Sequence, residues 1–277
     1  MTERARDDVA AAFDAASDYW DSIYEETTVE AAVYQTRRAV VERWLQALPL
    51  DGGARVLEVG PGAGHTTVAL ARRGVDVDAV DISEAMLARV AERARGEGVE
   101  DRVHTRRGSA ESVEASDGAY ALVVAVGLLP WVDDPGRTLR ELTRVAAPGG
   151  WVLLSSDNRA RLTFFLDPFV NPWLERPRAI VRRGRDLVRR RGTQRPRYLW
   201  RMYSRGYIDR LLDANGLHKV RAVTVGFGPF TLAGREVLPL QLGLDVHRAL
   251  QRAADRGAPI LRATGSHYVV LARKGRP

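Results

Sequence analysis

The chain contains no cysteine. Disulfides, cysteine-ligated zinc and thiol nucleophiles are therefore excluded, and a secreted disulfide scaffold with them. Lysine is nearly absent, standing only at Lys219 and Lys274, so almost all the basic charge behind the formal net charge of +7 is arginine. That bias fits the codon usage of a GC-rich genome. No apolar run is long enough to cross a bilayer, which takes about 20 residues. The longest, YALVVAVGLLPWV from Tyr120 to Val132, is broken by Pro130 and reads as a buried strand leaving into a loop. The opening MTERARDDVA is charged and carries no apolar signal region, so a soluble cytoplasmic protein is expected. No two histidines have metal-ligand spacing such as H-E-x-x-H, and there is no internal repeat.

What is present is one sizeable core. The 277 residues are 45% hydrophobic, enough for a single domain with an elaborate cap. Residues 1–50 carry apolar side chains at helical spacing, among them Phe13, Trp20, Val33, Val40, Val41, Trp44 and Leu45. Strands and helices then alternate. ARVLEVG, VDVDAVD, DRVHTRRG, YALVVAV and WVLLSS read as strands, and HTTVALARRG, SEAMLARVAERAR and PGRTLRELTRVA as helices. Ser83 is placed to cap the second of these helices and Pro135 to open the third. The rhythm resumes with the helix YSRGYIDRLLDANG, the strand LHKVRAVTVGF and a last strand HYVVLARK. The pattern predicts an α/β fold: a doubly wound, Rossmann-like, mostly parallel sheet of seven strands. It has a helical N-terminal cap (1–50), a core (51–156) and an insertion (157–203) after strand five. A closing part (204–277) contains a second irregular insertion at 226–264. In such a sheet the ligand crevice lies outside the carboxyl ends of the strands, so the N-terminal helices and both insertions are expected to cap it.

The stretch VLEVGPGAGHTT breaks from a strand into Gly60, Gly62 and Gly64. The glycines allow a tight turn and close backbone approach to a ligand. The dinucleotide pattern G-x-G-x-x-G is missed, because His65 stands at the third glycine position. Glu58 precedes the loop on the strand, and Asp81 ends the second strand, where a carboxylate can accept hydrogen bonds from both hydroxyls of a ribose. A ligand with a ribose, an ammonium group and no phosphate suits these neighbours. S-adenosylmethionine has that composition.

Several motifs together resemble the class I S-adenosylmethionine-dependent methyltransferases, in the ubiquinone/menaquinone-biosynthesis-type branch. VLEVGPGAG resembles their first motif and DISEAML their acidic-loop segment. VDDPGRTLRELTRVAAPGGWVLLSSDNR resembles their fourth helix and fifth strand, down to Asn158–Arg159. FDAASDYWD, from Phe13 to Asp21, resembles their N-terminal lid. The likeness covers about 1–160 well and 204–225 loosely.

The resemblance implies roles for individual residues. Gly60, Gly62 and Gly64 pass along the methionine part, and the Gly60 carbonyl takes its ammonium. Glu58 supports that end through the loop. Asp81 holds the ribose, Ile82 lies against the adenine and Met86 belongs to the same segment. Ser109 and Ala110 meet the adenine edge, and Val126 offers backbone to the methionine moiety. Arg37 or Arg38 pairs the methionine carboxylate. Tyr19 and Trp20 close over the cofactor. The chain departs from the family pattern in three places. Ser109 replaces an aspartate, Tyr120–Ala121 an F-D pair, and Pro130–Trp131 a Glu-His pair found in some quinone O-methyltransferases. Metal- or histidine-assisted chemistry is not expected at that last position.

Three side chains are candidates for catalysis: His65, in the first turn after the glycines; His267, at the start of the last strand; and Tyr19 of the lid. Twelve arginines lie between Arg176 and Arg205, interleaved with Trp173, Tyr198, Trp200 and Tyr203. They suit a solvated cap helix, an acidic substrate or weak contact with an anionic membrane surface. No nucleic-acid recognition module accompanies them. The expected reaction is methyl transfer to a small molecule, first an oxygen acceptor on an apolar aromatic scaffold, by positioning and desolvation and without a metal. Nitrogen or carbon acceptors stay open, as does a non-methylating, cyclase-type use of the cofactor. The sequence leaves the oligomeric state unassigned.

Overall fold

The computed structural model describes residues 3–171, 174 and 201–275. Most of the arginine-rich stretch, with Trp173, Tyr198 and Trp200, lies outside the described residues. Three helices open the chain: α1 (Glu3–Ala15), α2 (Ser17–Ser22) and α3 (Val29–Gln46). Then follow β1 (Arg55–Val59), α4 (His65–Ala71), β2 (Asp76–Asp81), α5 (Glu84–Gly96), β3 (Val103–Arg107), β4 (Tyr120–Ala125), α6 (Pro135–Val145) and β5 (Ala146–Asp157). After the short α7 (Leu162–Leu166) come α8 (Arg205–Ala214) and β6 (Leu217–Val225). A small hairpin, β7 (Thr231–Leu232) and β8 (Arg235–Glu236), leads to α9 (Leu240–Asp255), α10 (Leu261–Thr264) and β9 (His267–Lys274).

The main sheet has seven strands in the order β3-β2-β1-β4-β5-β9-β6. Strands β1 to β5 run parallel, and β9 is antiparallel to both β5 and β6. This is the doubly wound sheet expected from the alternation. Both faces are covered, which is why the central strands read as unbroken apolar runs. Leu57, Val123, Ala125 and Leu154 pack on one face with Leu139, Leu142, Ile208 and Leu212 of α6 and α8. Val56, Leu122, Val124 and Leu153 pack on the other with Val41, Trp44, Leu45 and Leu70 of α3 and α4. Side-chain caps fix the helix starts. Thr28 accepts from the Ala31 amide, Ser83 from Met86, Asp134 from Arg137 and Ser204 from Tyr207. Each such cap contributes about 1 kcal/mol.

Segment 226–264 is not irregular, as its composition suggested. It holds the hairpin and the long helix α9. Pro239 and Gly243 read as helix breakers in sequence. In the fold Pro239 is the N-cap of α9, and Gly243 is bare because a Cβ there would lie 2.7 Å from Val29 Cγ2 on α3. The segment therefore docks on the flank of α3, where His247 Nε2 is 3.1 Å from Thr36 Oγ1.

Helices α1 and α2 lie across α5. Three of their acids, Asp14, Asp18 and Asp21, fall at helical spacing and face it. Asp14 accepts from the Ser83 hydroxyl at 2.5 Å and the Ala85 amide at 3.2 Å. Asp18 pairs with Arg89, and Asp21 with Arg93. Arg93 Nε also donates to the Ala63 carbonyl at 2.8 Å, joining the lid to the glycine loop.

Gly64 and Gly74 both have φ of +82°. A Cβ on Gly64 would lie 3.0 Å from the Val90 Cα on α5, whereas at Gly74 nothing stands within 4 Å. Gly74→Ala is therefore expected to cost about 1 kcal/mol from backbone strain alone, and Gly64→Ala roughly 2–3 kcal/mol. Urea unfolding checks this: the Gly64→Ala midpoint falls further, with an unchanged slope.

Candidate active site

A cavity of about 350 Å³ opens at the carboxyl ends of β1, β2, β4 and β5. Helices α1, α2 and α3 form its outer wall. Most of the expected site residues line it: Tyr19, Trp20, Arg37, Arg38, Glu58, Gly60, Gly62, His65, Asp81, Ile82, Met86, Ser109, Ala110 and Val126. Gly64 and His267 do not. Gly64 serves the packing of α4 on α5, and His267 lies behind the wall. Among the described residues of 160–171, 174 and 201–264, none lines the cavity. The N-terminal helices cover the crevice, and 226–264 does not reach over it because it is spent on the flank of α3.

The turn after β1 puts Gly60 and Gly62 at φ of +69° and +55°. Glu58 lies beneath it, 2% exposed, and accepts from the Thr67 hydroxyl at 2.5 Å. Burial pushes this carboxyl up to about 8, so it is mostly protonated at neutral pH and places no net charge under the loop. Asp81 caps the end of β2, with Oδ1 accepting from the Ser83 amide at 2.9 Å. Burial pushes it up to about 6, against the pull of the backbone amides of Ser83 and Ile82.

Arg37 is buried, 6% exposed. Its guanidinium donates to the Tyr24 hydroxyl at 3.0 Å and lies over the Tyr34 ring at 5.0 Å. Its Nε has no hydrogen-bond partner, and no carboxylate of the described residues stands within ion-pair distance. Burial works against this cation, but Tyr24, Tyr34 and the more distant Asp157 hold its pKa above the usual arginine value, so it stays charged and its unpartnered Nε is free to donate to a ligand anion. Arg38 is spent differently. It donates to Glu42 at 2.6 Å and to His65 Nδ1 at 3.1 Å.

The catalytic candidates can be judged on lone pairs. An arginine only donates, so Arg38 occupies the Nδ1 lone pair of His65 and leaves the proton on Nε2. Burial, then Arg93 and Arg38, hold that ring neutral, with its pKa down at about 4. The Tyr19 hydroxyl donates to Glu30 at 3.1 Å, and burial with the Glu30 charge pushes its phenol above the usual range. His267 is 4% exposed, and its Nε2 stands 3.3 Å from Asp157 Oδ1. Burial, Arg37 and Arg161 hold it well below the usual histidine range. None of the three presents a basic lone pair to the cavity.

Reading the sequence missed much of the wall. Phe13, Tyr24, Tyr34, Trp131 and Asp157 also line the cavity. The rings form a connected set. Phe13 meets Trp131 edge-on at 4.9 Å and Trp20 at 6.0 Å, and Trp20 meets Tyr34 at 5.8 Å. The signal for Tyr34 was its place one helical turn before Arg37 and Arg38. For Asp157 it was the end of β5, the crevice edge.

The residues fit S-adenosylmethionine. Asp81 offers a ribose acceptor, Arg37 lacks the anion that a methionine carboxylate would bring, and aromatic faces suit a sulfonium cation. Two expectations follow. Affinity for S-adenosylhomocysteine, measured by calorimetry, stays constant above about pH 7 and falls as Asp81 protonates below 6, by up to about tenfold per pH unit. Asp81→Asn binds weakly and loses this slope. Glu58 has the opposite consequence for stability. Its folded pKa lies above its unfolded value of 4.5, so ligand-free stability falls as pH rises from there to about 8. Urea midpoints of Glu58→Gln are expected to vary less between pH 5.5 and 8.

Residues 57–154 match the family described as methyltransferase domain. The chain is 32% identical over 240 residues to the ubiquinone biosynthesis O-methyltransferase of Methylococcus capsulatus, covering 86% of this chain and 92% of that protein. In fold it is similar to the cyclase SpnF, with a TM-score of 0.60 at 19% identity over 97% of this chain and 96% of that one. It is similar also to a geranyl diphosphate methyltransferase solved with GPP and sinefungin, with a TM-score of 0.56 at 20% identity over 89% of this chain and 80% of that one. With the glycine turn, Asp81 and the doubly wound sheet in place, the chain belongs to the class I S-adenosylmethionine-dependent methyltransferases, in the ubiquinone-biosynthesis-type branch.

Proposed function

We propose that this methyltransferase acts on a hydroxyl oxygen of an apolar aromatic small molecule. One observation carries the reading: six aromatic rings, Phe13, Tyr19, Trp20, Tyr24, Tyr34 and Trp131, line the same cavity as Asp81 and the glycine turn. Flat apolar walls select a flat apolar acceptor. The similarity to a ubiquinone biosynthesis O-methyltransferase supports oxygen over nitrogen or carbon. Where some quinone O-methyltransferases carry Glu-His, this chain has Pro130 and Trp131, so the corresponding wall is apolar.

The cofactor supplies an electrophilic methyl on a cationic sulfur. The protein's own part is to bind, orient and exclude water. In this reading Gly60, Gly62 and Val126 offer backbone to the methionine part, Arg37 takes its carboxylate and Glu58 holds the turn from below. Asp81, Ile82, Met86, Ser109 and Ala110 seat the adenosine. Tyr19 and Trp20 close the lid, while Arg38 and His65 brace it. Residues 1–50 act as that lid, 51–156 as the cofactor-binding core and 157–203 as a basic cap. Desolvation favours the step, because the sulfonium charge is lost as the methyl moves to an anionic oxygen. No helix among the described residues is long and apolar enough to cross a membrane. We place the protein in the cytoplasm, and propose weak contact with an anionic membrane surface through the arginine-rich stretch 176–205.

The test is incubation with methyl-labelled S-adenosylmethionine and matched panels of phenols, anilines and aliphatic alcohols. Label is expected in methyl ethers of the phenols. Label in the anilines alone sinks the oxygen reading. Tight cofactor binding with no methyl loss to any acceptor favours a non-methylating use of the site.

A further inference from the structure

Arg37 reaches the cavity from α3 and is held there on three sides. Its guanidinium lies over the Tyr34 ring, 5.0 Å from the centroid. Gly127, two residues past β4, lies against its head: a Cβ there would stand 3.1 Å from Nη1. The Gly127 amide donates to Ser155 Oγ at 2.9 Å, which fixes this bare stretch of backbone. The third side is Tyr24, whose hydroxyl accepts from Nη2 at 3.0 Å. Gly127 follows Val126, so the guanidinium lies at the end of the cavity that the reading above gives to the methionine part.

Tyr24 belongs to the connection between α2 and α3. Gln35 of α3 donates to the Tyr24 carbonyl at 2.9 Å and to the Glu26 carbonyl at 3.1 Å, tying that connection down. The Tyr24 ring meets His65 edge-on at 5.0 Å and Tyr34 at 6.3 Å, and the Arg38 guanidinium lies 5.8 Å from its centroid. Backbone and ring are thus held, and the hydroxyl is what remains for a ligand. An arginine only donates, so a hydroxyl that accepts from it keeps its own O–H to give. Among the described residues no acceptor takes that proton. Tyr24 and Arg37 both line the cavity, and Arg37 has no acid in ion-pair distance. Two adjacent donors, one of them cationic, are matched by a ligand carboxylate.

Resting on the reading that Arg37 takes the methionine carboxylate, we infer that Tyr24 completes a two-donor clamp on that carboxylate and makes the site selective for adenosyl ligands that carry it. The guanidinium supplies charge, and the phenol O–H supplies a second, directed hydrogen bond. Tyr24 also holds the guanidinium against Gly127, so one hydroxyl serves ligand and arginine together. Its part is in binding and leaves the methyl-transfer step to other groups. Because Tyr24 lies on the connection that follows the lid helices, the bound carboxylate joins that connection to α3.

Calorimetry with two ligands tests this: S-adenosylhomocysteine and its decarboxylated analogue S-adenosyl-3-thiopropylamine, which keeps the adenosine, the sulfur and the ammonium. Wild type is expected to bind S-adenosylhomocysteine roughly 100-fold more tightly than the analogue. Tyr24→Phe keeps the ring and its contacts. It is expected to lose about tenfold in affinity for S-adenosylhomocysteine and to bind the analogue as wild type does. Arg37→Met is expected to lose most of the preference between the two. A merely structural role for Tyr24 would weaken both ligands alike. An equal loss on both in Tyr24→Phe, no loss on S-adenosylhomocysteine, or a variant that binds neither overturns the role of Tyr24 alone. Wild type binding the two ligands alike, or Arg37→Met keeping the full preference, overturns the placing of the carboxylate at Arg37 and the clamp with it.

Discussion

The site is held together by one guanidinium. Arg93 rises from α5, donates to the Ala63 carbonyl of the glycine turn and pairs with Asp21 of α2. The helix that carries it starts at Ser83, two residues beyond Asp81, and Asp14 of α1 holds the Ser83 hydroxyl. The glycine turn, the Asp81 carboxylate and the N-terminal helices are therefore fixed relative to one helix. Each of these pairs is partly exposed and contributes modestly alone. Their value lies in geometry: together they define a closed cavity in which the aromatic residues of the lid face the strand ends.

The same cavity concentrates groups that are unfavourable in an empty protein. An aspartate pushed up by burial and a protonated glutamate beneath the turn cost folding free energy, and beside them lies a buried guanidinium with no carboxylate of the described residues in ion-pair distance. The sheet can bear that cost because both of its faces are closed by apolar packing from end to end. In the proposed reading such groups gain partners from the ligand: a ribose would give Asp81 donors, and a carboxylate would give Arg37 an anion. Binding and stability are therefore coupled at these residues.

The frame was legible because its signals are local. A glycine run after an apolar strand, an acid at the end of the next strand and Ser83 before a helix each follow from short-range sequence. Asp14, Asp18 and Asp21 belong to the segment FDAASDYWD, which resembles the family's lid, but their partners were not legible in sequence. Only the tertiary placement of α5 shows that they share one face against it. Helix α9 lies inside 226–264, which was expected to be irregular; there Pro239 caps the helix and Gly243 allows close approach to Val29. His267 was sought as a site residue because it begins a strand at the crevice edge. Its neighbour across the sheet, Asp157, is the one that reaches the cavity, and strand pairing decides that.

The loop after β4 shows how a change of side chains there redirects the chemistry. A Glu-His pair at this point would bring polar and metal-binding atoms into the cavity. Pro130 and Trp131 bring apolar surface instead, and Trp131 closes edge-on against Phe13 of the lid at 4.9 Å. The packing of Phe13 on Trp131 and Trp20 covers aromatic surface on both sides of the cavity.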